Sequence, residues 1–387
     1  MRMLRGTNFM IGSKGVVLNI RSLLRGGTVV LLTWSIKCAD ASAQEPAQSS
    51  KWYENILVNG FLSTSYSYNF NRPSARKNQL RVFDAQDNSF TVDVLELSLQ
   101  KDVAAPRDAG FRFDLTAGSS IPKVARSGGL NIGDLDFHQM FLSYVVPAGK
   151  GLRLDFGKVI THLGYEVIEG YDGYNDNETH SFLFGYAIAF THTGVRATYP
   201  FSDVLSVSFM LTNGWDNAID NNSSKTLCGQ IVVNPMQGLS LFANTTYGPE
   251  RDTNNSDNRL ILDFVGTYDA SPKIRVGVNA DYGSEEHATP LGEKATWVGV
   301  AGYLRANLLD QFSLCLRVEQ FEDREGVRTG TAQRLREVTI TPEYRPAGHF
   351  IIRGDIRVDD SNNDVFMRQN GFVKTQATVS LNVVYLY

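Results

Sequence analysis

From residue 56 to the C-terminus, apolar and polar residues alternate with a period of two, in runs of about ten. No other feature restricts the fold of this chain as much. Phe111, Phe113, Leu115 and Ala117 alternate with Arg112, Asp114 and Thr116. Leu152, Leu154 and Phe156 alternate with Arg153 and Asp155, and Leu205, Val207, Phe209 and Leu211 with Ser206 and Ser208. Phe312, Leu314, Leu316 and Val318 alternate with Arg317 and Glu319, and Phe350, Ile352, Ile356 and Val358 with Arg353, Asp355 and Arg357. Successive side chains of a strand point to opposite faces, so each run reads as a strand with one apolar and one polar face. Helical periodicity is missing from the same stretch.

The connections add a second regularity. Seven are tight and rich in Pro, Gly, Asn and Asp: near Ala105-Pro106, 147–149, 200–202, 234–238, 270–272, 309–311 and 346–348. Between them lie eight longer polar segments, at 71–88, 119–134, 161–187, 213–225, 249–259, 284–295, 322–333 and 360–371. The composition of the short ones suits turns. Fifteen connections predict sixteen strands with both termini on the short-turn side; fourteen and eighteen are the alternatives.

A soluble β-sandwich also alternates, and a propeller would show blade repeats, which are lacking here. Three features select an all-β, up-and-down transmembrane β-barrel. Short turns and long loops alternate regularly. The face opposite each apolar face carries charge, as expected between lipid and an aqueous lumen. Aromatics such as Tyr66, Tyr68, Phe70, Tyr144, Tyr199, Trp215, Tyr247, Trp297 and Tyr344 sit near strand ends, where bilayer interfaces would fall.

The N-terminus reads as an export signal. Arg21 and Arg25 precede the apolar run Thr28–Ile36, and Ala41-Ser42-Ala43 fits a small-x-small cleavage site before Gln44. The expected organisation is a signal peptide over 1–43, a periplasmic lead-in over 44–55 and a barrel over 56–387. In the last strand Val373, Thr375, Ala377, Val379, Leu381, Val383, Tyr385 and Tyr387 share one face, with Thr378, Ser380 and Asn382 on the other. An aromatic terminus after such alternation resembles the strand that outer-membrane assembly machinery reads.

Several runs resemble the OmpL-like beta-barrel porin-2 family: Gln139–Pro147, Gly149–Lys158 with Gly164-Tyr165-Glu166, Phe190–Tyr199 and Thr212–Asp216. The resemblance is densest between Asp134 and Asp220. It implies a Gram-negative outer-membrane barrel with pore activity. It supplies neither a defined substrate nor catalytic residues.

A barrel of this size leaves a lumen whose inward residues decide what passes. The alternation places Arg112, Asp114, Arg153, Asp155, Arg196, Asp263, Arg275, Asp281, Arg317, Glu319, Glu337, Glu343, Arg353, Asp355, Arg357 and Asp359 inward. The longest loop, 161–187, carries Glu166, Glu169, Asp172, Asp176 and Glu178 with no Lys or Arg, and also Tyr165, Tyr171, Tyr174, Phe182 and Phe184. It is the expected constriction, folding inward and giving a weak cation preference. Arg317, Arg353 and Arg357 would form a basic wall opposite it.

Other functions are excluded in turn. With 37 basic and 41 acidic residues, formally −4, the chain lacks the basic excess of a nucleic-acid binder. No Gly-x-Ser-x-Gly is present, and adjacent His180 and Ser181 are not a natural dyad. No metal-ligand spacing is found; the polar run Asp216–Asn222 lacks the full calcium-loop pattern. Cys228 and Cys315 are expected inward on the eighth and thirteenth strands as free thiols, and His138 outward near an interface. No cofactor is expected. The expected function is passive diffusion of small hydrophilic solutes or ions across the outer membrane. The alternative is an adhesion or scaffold barrel with an occluded lumen. Expected partners are outer-membrane lipid, the barrel assembly machinery and small hydrophilic solutes, with a homo-oligomer left open.

Overall fold

The computed structural model describes residues 55–121 and 135–387. The signal peptide, its cleavage point between Ala43 and Gln44, and all but the last residue of the lead-in lie outside the described residues.

The strands run in chain order: β1 Leu57–Asn69, β2 Ser89–Lys101, β3 Ala109–Ala117, β4 Leu135–Val146, β5 Leu152–Ile160, β6 Thr191–Pro200, β7 Leu205–Thr212, β8 Thr226–Met236, β9 Leu239–Pro249 and β10 Asn258–Ser271. They continue with β11 Ile274–Glu285, β12 Ala295–Leu309, β13 Phe312–Asp323, β14 Gln333–Ala347, β15 Phe350–Arg353, β16 Ile356–Ser361, β17 Phe366–Arg368, β18 Gly371–Val373 and β19 Thr375–Leu386. β15 and β16 are one spanning strand interrupted at Gly354 and Asp355, since both pair with β14 and β19 in a continuous register. β17 and β18 form a separate hairpin inside the last long loop. Sixteen spanning strands result among the described residues, each antiparallel to its neighbours. β1 closes on β19, from Phe61 opposite Leu386 to Asn69 opposite Thr378.

The seven short turns and eight long loops fall where the sequence places them, at opposite ends of the barrel. In the turn between β8 and β9, Gly238 adopts φ +81, a conformation that glycine takes without a Cβ penalty. Apolar outward residues are exposed, among them Phe90, Leu97, Phe156, Phe209, Leu262, Val300 and Ile340. The inward neighbours are polar and buried. In the last strand Gln376, Thr378, Ser380 and Asn382 are buried, whereas Leu381, Tyr385 and Tyr387 are exposed.

Two local departures from simple alternation have one cause. Opposite Ser63 and Thr64 of β1, β2 carries an extra residue, Asp93, so the side chains beyond it change face. Leu95 and Leu97 then point outward together with Phe90 and Val92, while Val94 is buried. This bulge explains why the apolar residues of β2 occupy both odd and even positions while Phe90, Val92, Leu95 and Leu97 share the outward face. His138 is the second case and corrects the outward assignment. β4 pairs Gln139 with Asp114 and Phe137 with Leu115, so His138 is the extra residue of a bulge. It is buried, with Nδ1 4.0 Å from Glu96 Oε2.

The interior is occupied rather than open. The loop after β5 extends to residue 190 and contains a π-helical turn, Leu183–Ala187, where no helical segment was expected. Leu163, Phe182, Leu183, Phe184, Ile188 and Phe190 of this loop pack with Phe83 of the first long loop. Trp297, Tyr303, Phe321 and Leu335 of the wall complete the cluster. A fully buried Phe or Leu contributes roughly 1.5–3 kcal/mol, so the cluster anchors the loop inside. Cys228 and Cys315 are buried free thiols on β8 and β13.

Candidate functional site: the loop-filled lumen

Inward charges come from β2–β6 and β10–β16, where alternation brings each second residue to the lumen; β1, β7–β9 and β19 carry no charged residue. Many first neutralise one another along the wall. Arg112 Nε donates to Asp114 at 2.6 Å, and Asp155 accepts from Arg153 at 2.8 Å and binds Arg196 at 2.7 Å. Arg317 Nε donates to Glu337 at 2.5 Å and Arg357 Nε to Asp359 at 2.7 Å. Arg275 is inward on β11 but lies at the exposed short-turn mouth, where it pairs with Asp269 at 2.6 Å.

The acidic loop then docks on what remains. Glu166 meets Arg317 at 2.8 Å, Glu169 meets Arg353 at 2.6 Å, Asp172 meets Arg112 at 2.8 Å, and Asp176 meets Arg305 at 2.7 Å. Four of the loop's five acids are thus matched to wall arginines. The expected opposition of acidic loop and basic wall exists as contact ion pairs rather than as a field across open water. Glu178 is different: its carboxylate meets the Ser380 hydroxyl beside Asp355. Burial, reinforced by Asp355, holds this carboxyl well above its ordinary pKa. Asp355 accepts from Glu178 N at 3.2 Å and Thr179 N at 2.7 Å, and Glu319 from Phe182 N at 2.8 Å and Leu183 N at 2.5 Å. Wall carboxylates therefore satisfy the loop's backbone donors, which a buried loop requires.

Several contributors escape the sequence reading. Arg305 also binds Glu343, yet it is the sole charge of β12; the alternation Ala301, Tyr303, Arg305 would have flagged it. Lys158 lies 3.1 Å from Asp136 with both side chains buried. Arg81 reaches in from the first long loop to Asp359 at 2.6 Å and also binds Asp84.

His162, His180 and His192, the histidines around the inner loop, each have separate surroundings. The His162 and His192 rings lie 5.4 Å apart, and burial holds His162 down to a pKa of about 4. His180 packs on Phe83 and Phe184. Ser181 Oγ accepts from Phe184 N at 3.0 Å. Asp216 accepts from Phe190 N at 2.6 Å and Thr191 N at 2.9 Å, stapling the end of the inner loop.

Two recesses open at the short-turn end. One of about 630 Å³ is lined by Tyr174, Asp176, Lys273, Arg275, Arg305 and Arg345, among others. The other, about 240 Å³, includes Lys101, Arg112, Arg153, Asp172 and Arg196.

A closed sixteen-strand antiparallel barrel, apolar outside and charged inside, with alternating short turns and long loops, is an outer-membrane β-barrel of the porin class. Residues 55–387 match the family described as "Putative beta-barrel porin-2, OmpL-like", and the chain belongs to it. Its place is the cell outer membrane. None of the curated proteins matches the chain in sequence. Among solved structures, the outer-membrane channel DcaP of Acinetobacter baumannii superposes with a TM-score of 0.60 at 11% identity, covering 86% of this chain and 97% of that one. The anion-selective porin from Comamonas acidovorans gives 0.59 at 10% identity, over 86% and 99%. The trimer form of OmpT from Vibrio cholerae gives 0.56 at 12% identity, over 86% and 99%.

Proposed function

We propose that this barrel lets small hydrophilic solutes and ions diffuse passively across the outer membrane, with the loop 161–190 narrowing its lumen. Ion selectivity is weak in this reading, and no catalytic role is part of it. The observation that carries the reading is the pairing of Glu166, Glu169, Asp172 and Asp176 with wall arginines. Charge bound in contact pairs exerts little net field on a passing ion. In the larger recess Lys273, Arg275, Arg305 and Arg345 face Asp176 and Asp310, with Asp269 and Glu343 paired behind them. This replaces the cation preference expected from the loop's composition alone.

Planar-bilayer recording tests the proposal. The expected result is discrete ohmic steps and a cation-to-anion permeability ratio near one. Deleting Glu166 to Glu178 should raise the step size severalfold. A permeability ratio above ten in either direction, or unchanged conductance after the deletion, would refute it.

The second reading, an adhesion or scaffold barrel with a closed lumen, draws on the apolar cluster that Phe83 and the inner loop form inside the barrel. Silence in the bilayer would select it. Lipid, the assembly machinery and further copies of the chain are the partners in either case. The trimer form of the OmpT neighbour makes a homo-oligomer the arrangement to test first, by sedimentation in detergent.

A further inference from the structure

Bases on much of the long-loop rim are paired. Lys225 binds Asp220, Arg251 binds Asp257 at 3.0 Å, and Arg259 binds Glu285 at 2.8 Å. Arg324 and Arg334 flank Glu322. The rim above the seam of β1 and β19 is different. The loop 71–88 carries Arg72, Arg76 and Lys77, Arg368 ends β17, and Lys374 stands between β18 and β19. All five are exposed, and none makes an ion pair among the described residues. The acids of these two loops do not offset them. Asp84 is taken by Arg81, and Asp87 is buried and accepts from Asn69 N at 2.7 Å. Asp360 stands opposite Arg336 across the ladder. That leaves Asp364 against five exposed bases.

The two loops form one surface. Gln369 N donates to Asn71 O at 3.1 Å, Ser74 N to Gln369 O at 3.0 Å, and Asn71 Nδ2 to Thr375 O at 2.7 Å. Directly below, the outward face of the wall is aromatic. The Tyr66 and Phe90 rings lie 4.7 Å apart and those of Tyr68 and Phe70 5.3 Å apart. Phe70 and Phe90 are 61% and 85% exposed. Arg72 Nε donates to the Tyr68 hydroxyl at 3.2 Å. The Tyr66 hydroxyl donates to Asn88 Oδ1 at 2.7 Å, and Arg76 Nη2 donates to Asn88 O at 2.8 Å. Two guanidiniums therefore sit at the level of the tyrosine hydroxyls, where an aromatic belt meets lipid headgroups. Their remaining N–H groups have no partner among the described residues.

We propose that this rim binds the phosphate groups of a phosphorylated glycolipid of the outer leaflet, with Arg72 and Arg76 at headgroup depth and Lys77, Arg368 and Lys374 above them. A guanidinium offers phosphate oxygens a planar fork of donors, and Lys adds point charges. The aromatics below decide for a lipid over a soluble polyanion. They continue the barrel's apolar band upward to the bases, so one molecule can lay acyl chains on Phe70 and Phe90 and its phosphates on the arginines. Phe372 of the β17–β18 hairpin, 53% exposed, adds apolar surface beside Arg368. A lipid held by bases of both loops would also clamp the seam on which the barrel closes. The inference concerns the external rim and stands whether or not the barrel conducts.

The test uses the full refolded chain in detergent, titrated with diphosphoryl lipid A and, separately, with the same lipid stripped of its phosphates. Native mass spectrometry reads the fraction of chain that carries lipid. The parent should bind the phosphorylated form about tenfold or more tightly than the stripped one, and less tightly as salt is raised. Combining Arg72→Gln, Arg76→Gln, Lys77→Gln, Arg368→Gln and Lys374→Gln should remove that preference, because each base near an anionic lipid surface contributes about fivefold. Lys225→Gln with Arg251→Gln, which neutralises two paired bases of the same rim, should stay within about a factor of two of the parent. Equal binding of the two lipids by the parent overturns the proposal and needs no variant to fold. Unchanged preference in the combined variant, or an equal loss in the paired-base control, also overturns it. Displacement of the lipid by millimolar inorganic phosphate would assign a free-phosphate site instead, and displacement by heparin a soluble polyanion.

Discussion

Arg353 holds both oxygens of Glu169, with Nη2 2.6 Å from Oε1 and 2.8 Å from Oε2, across 184 positions of sequence. The same guanidinium donates from Nε to Asn382 Oδ1 at 2.9 Å and from Nη1 to Asn175 O at 2.5 Å. One side chain of β15 thus ties the inner loop to β19, near the seam that closes the barrel.

Arg353→Ala leaves the Glu169 carboxylate buried without its partner, a change that costs about 3–5 kcal/mol. It should lower the unfolding free energy in denaturant by about that amount and increase single-channel conductance, because the loop is untied from one wall. Arg353→Lys restores charge but not the fork of donors, and should recover only part of the loss. Unchanged stability in Arg353→Ala would show that the pair holds nothing.

The barrel was legible in sequence because its two faces meet such different surroundings. Along β3, β7 and β13 the alternation alone assigns every side chain. It failed at Asp93 and His138, where one inserted residue exchanges the faces beyond it. The inner loop was legible in kind, as an acidic, aromatic segment without bases. Its partners were not: that Glu166 finds Arg317 and Asp176 finds Arg305 depends on contacts across more than a hundred residues. Their consequence, cancellation of the loop's charge, was therefore hidden as well.

Ile340 near the middle of β14 is exposed between the buried inward residues Thr339 and Thr341, and Leu309 is exposed at the short-turn end of β12. If these faces meet lipid, arginine should be tolerated according to depth. Ile340→Arg is expected to cost about 2–4 kcal/mol in bilayer-folded protein, and Leu309→Arg no more than about 1 kcal/mol. Reversible unfolding from lipid vesicles measures both. Equal costs would place the bilayer midplane elsewhere.

Burial pushes the Asp216 carboxyl up to about 6, against two backbone N–H donors that favour its ionised form. Between its ordinary pKa of about 4 and this value, the folded chain keeps a proton that the unfolded chain releases. Stability from this group is therefore full below pH 4 and is lost as pH rises through 6, by about 3 kcal/mol at most. Asp216→Asn keeps an oxygen for Phe190 N and Thr191 N but removes the titration. Melting curves from pH 4 to 8 should show the parent falling relative to Asp216→Asn; parallel curves would contradict the assignment.

Tyr387 is built into the seam. Gly60 N donates to Tyr387 O at 3.0 Å, and Tyr387 N donates back to Gly60 O at 2.9 Å. These bonds use only backbone, while the Tyr385 and Tyr387 rings stay exposed on the outward face with Leu381. If the rings serve recognition by the assembly machinery, their loss should separate assembly from folding. Replacing both Tyr385 and Tyr387 by Ser keeps the seam's hydrogen bonds and should leave refolding yield in detergent micelles within about a factor of two, since exposed surface substitutions usually change stability by no more than about 0.5 kcal/mol. The amount of barrel recovered from outer membranes should fall severalfold in the same variant. Parallel losses in both measurements would mean that the rings act through stability alone, and full recovery from membranes would remove the recognition role.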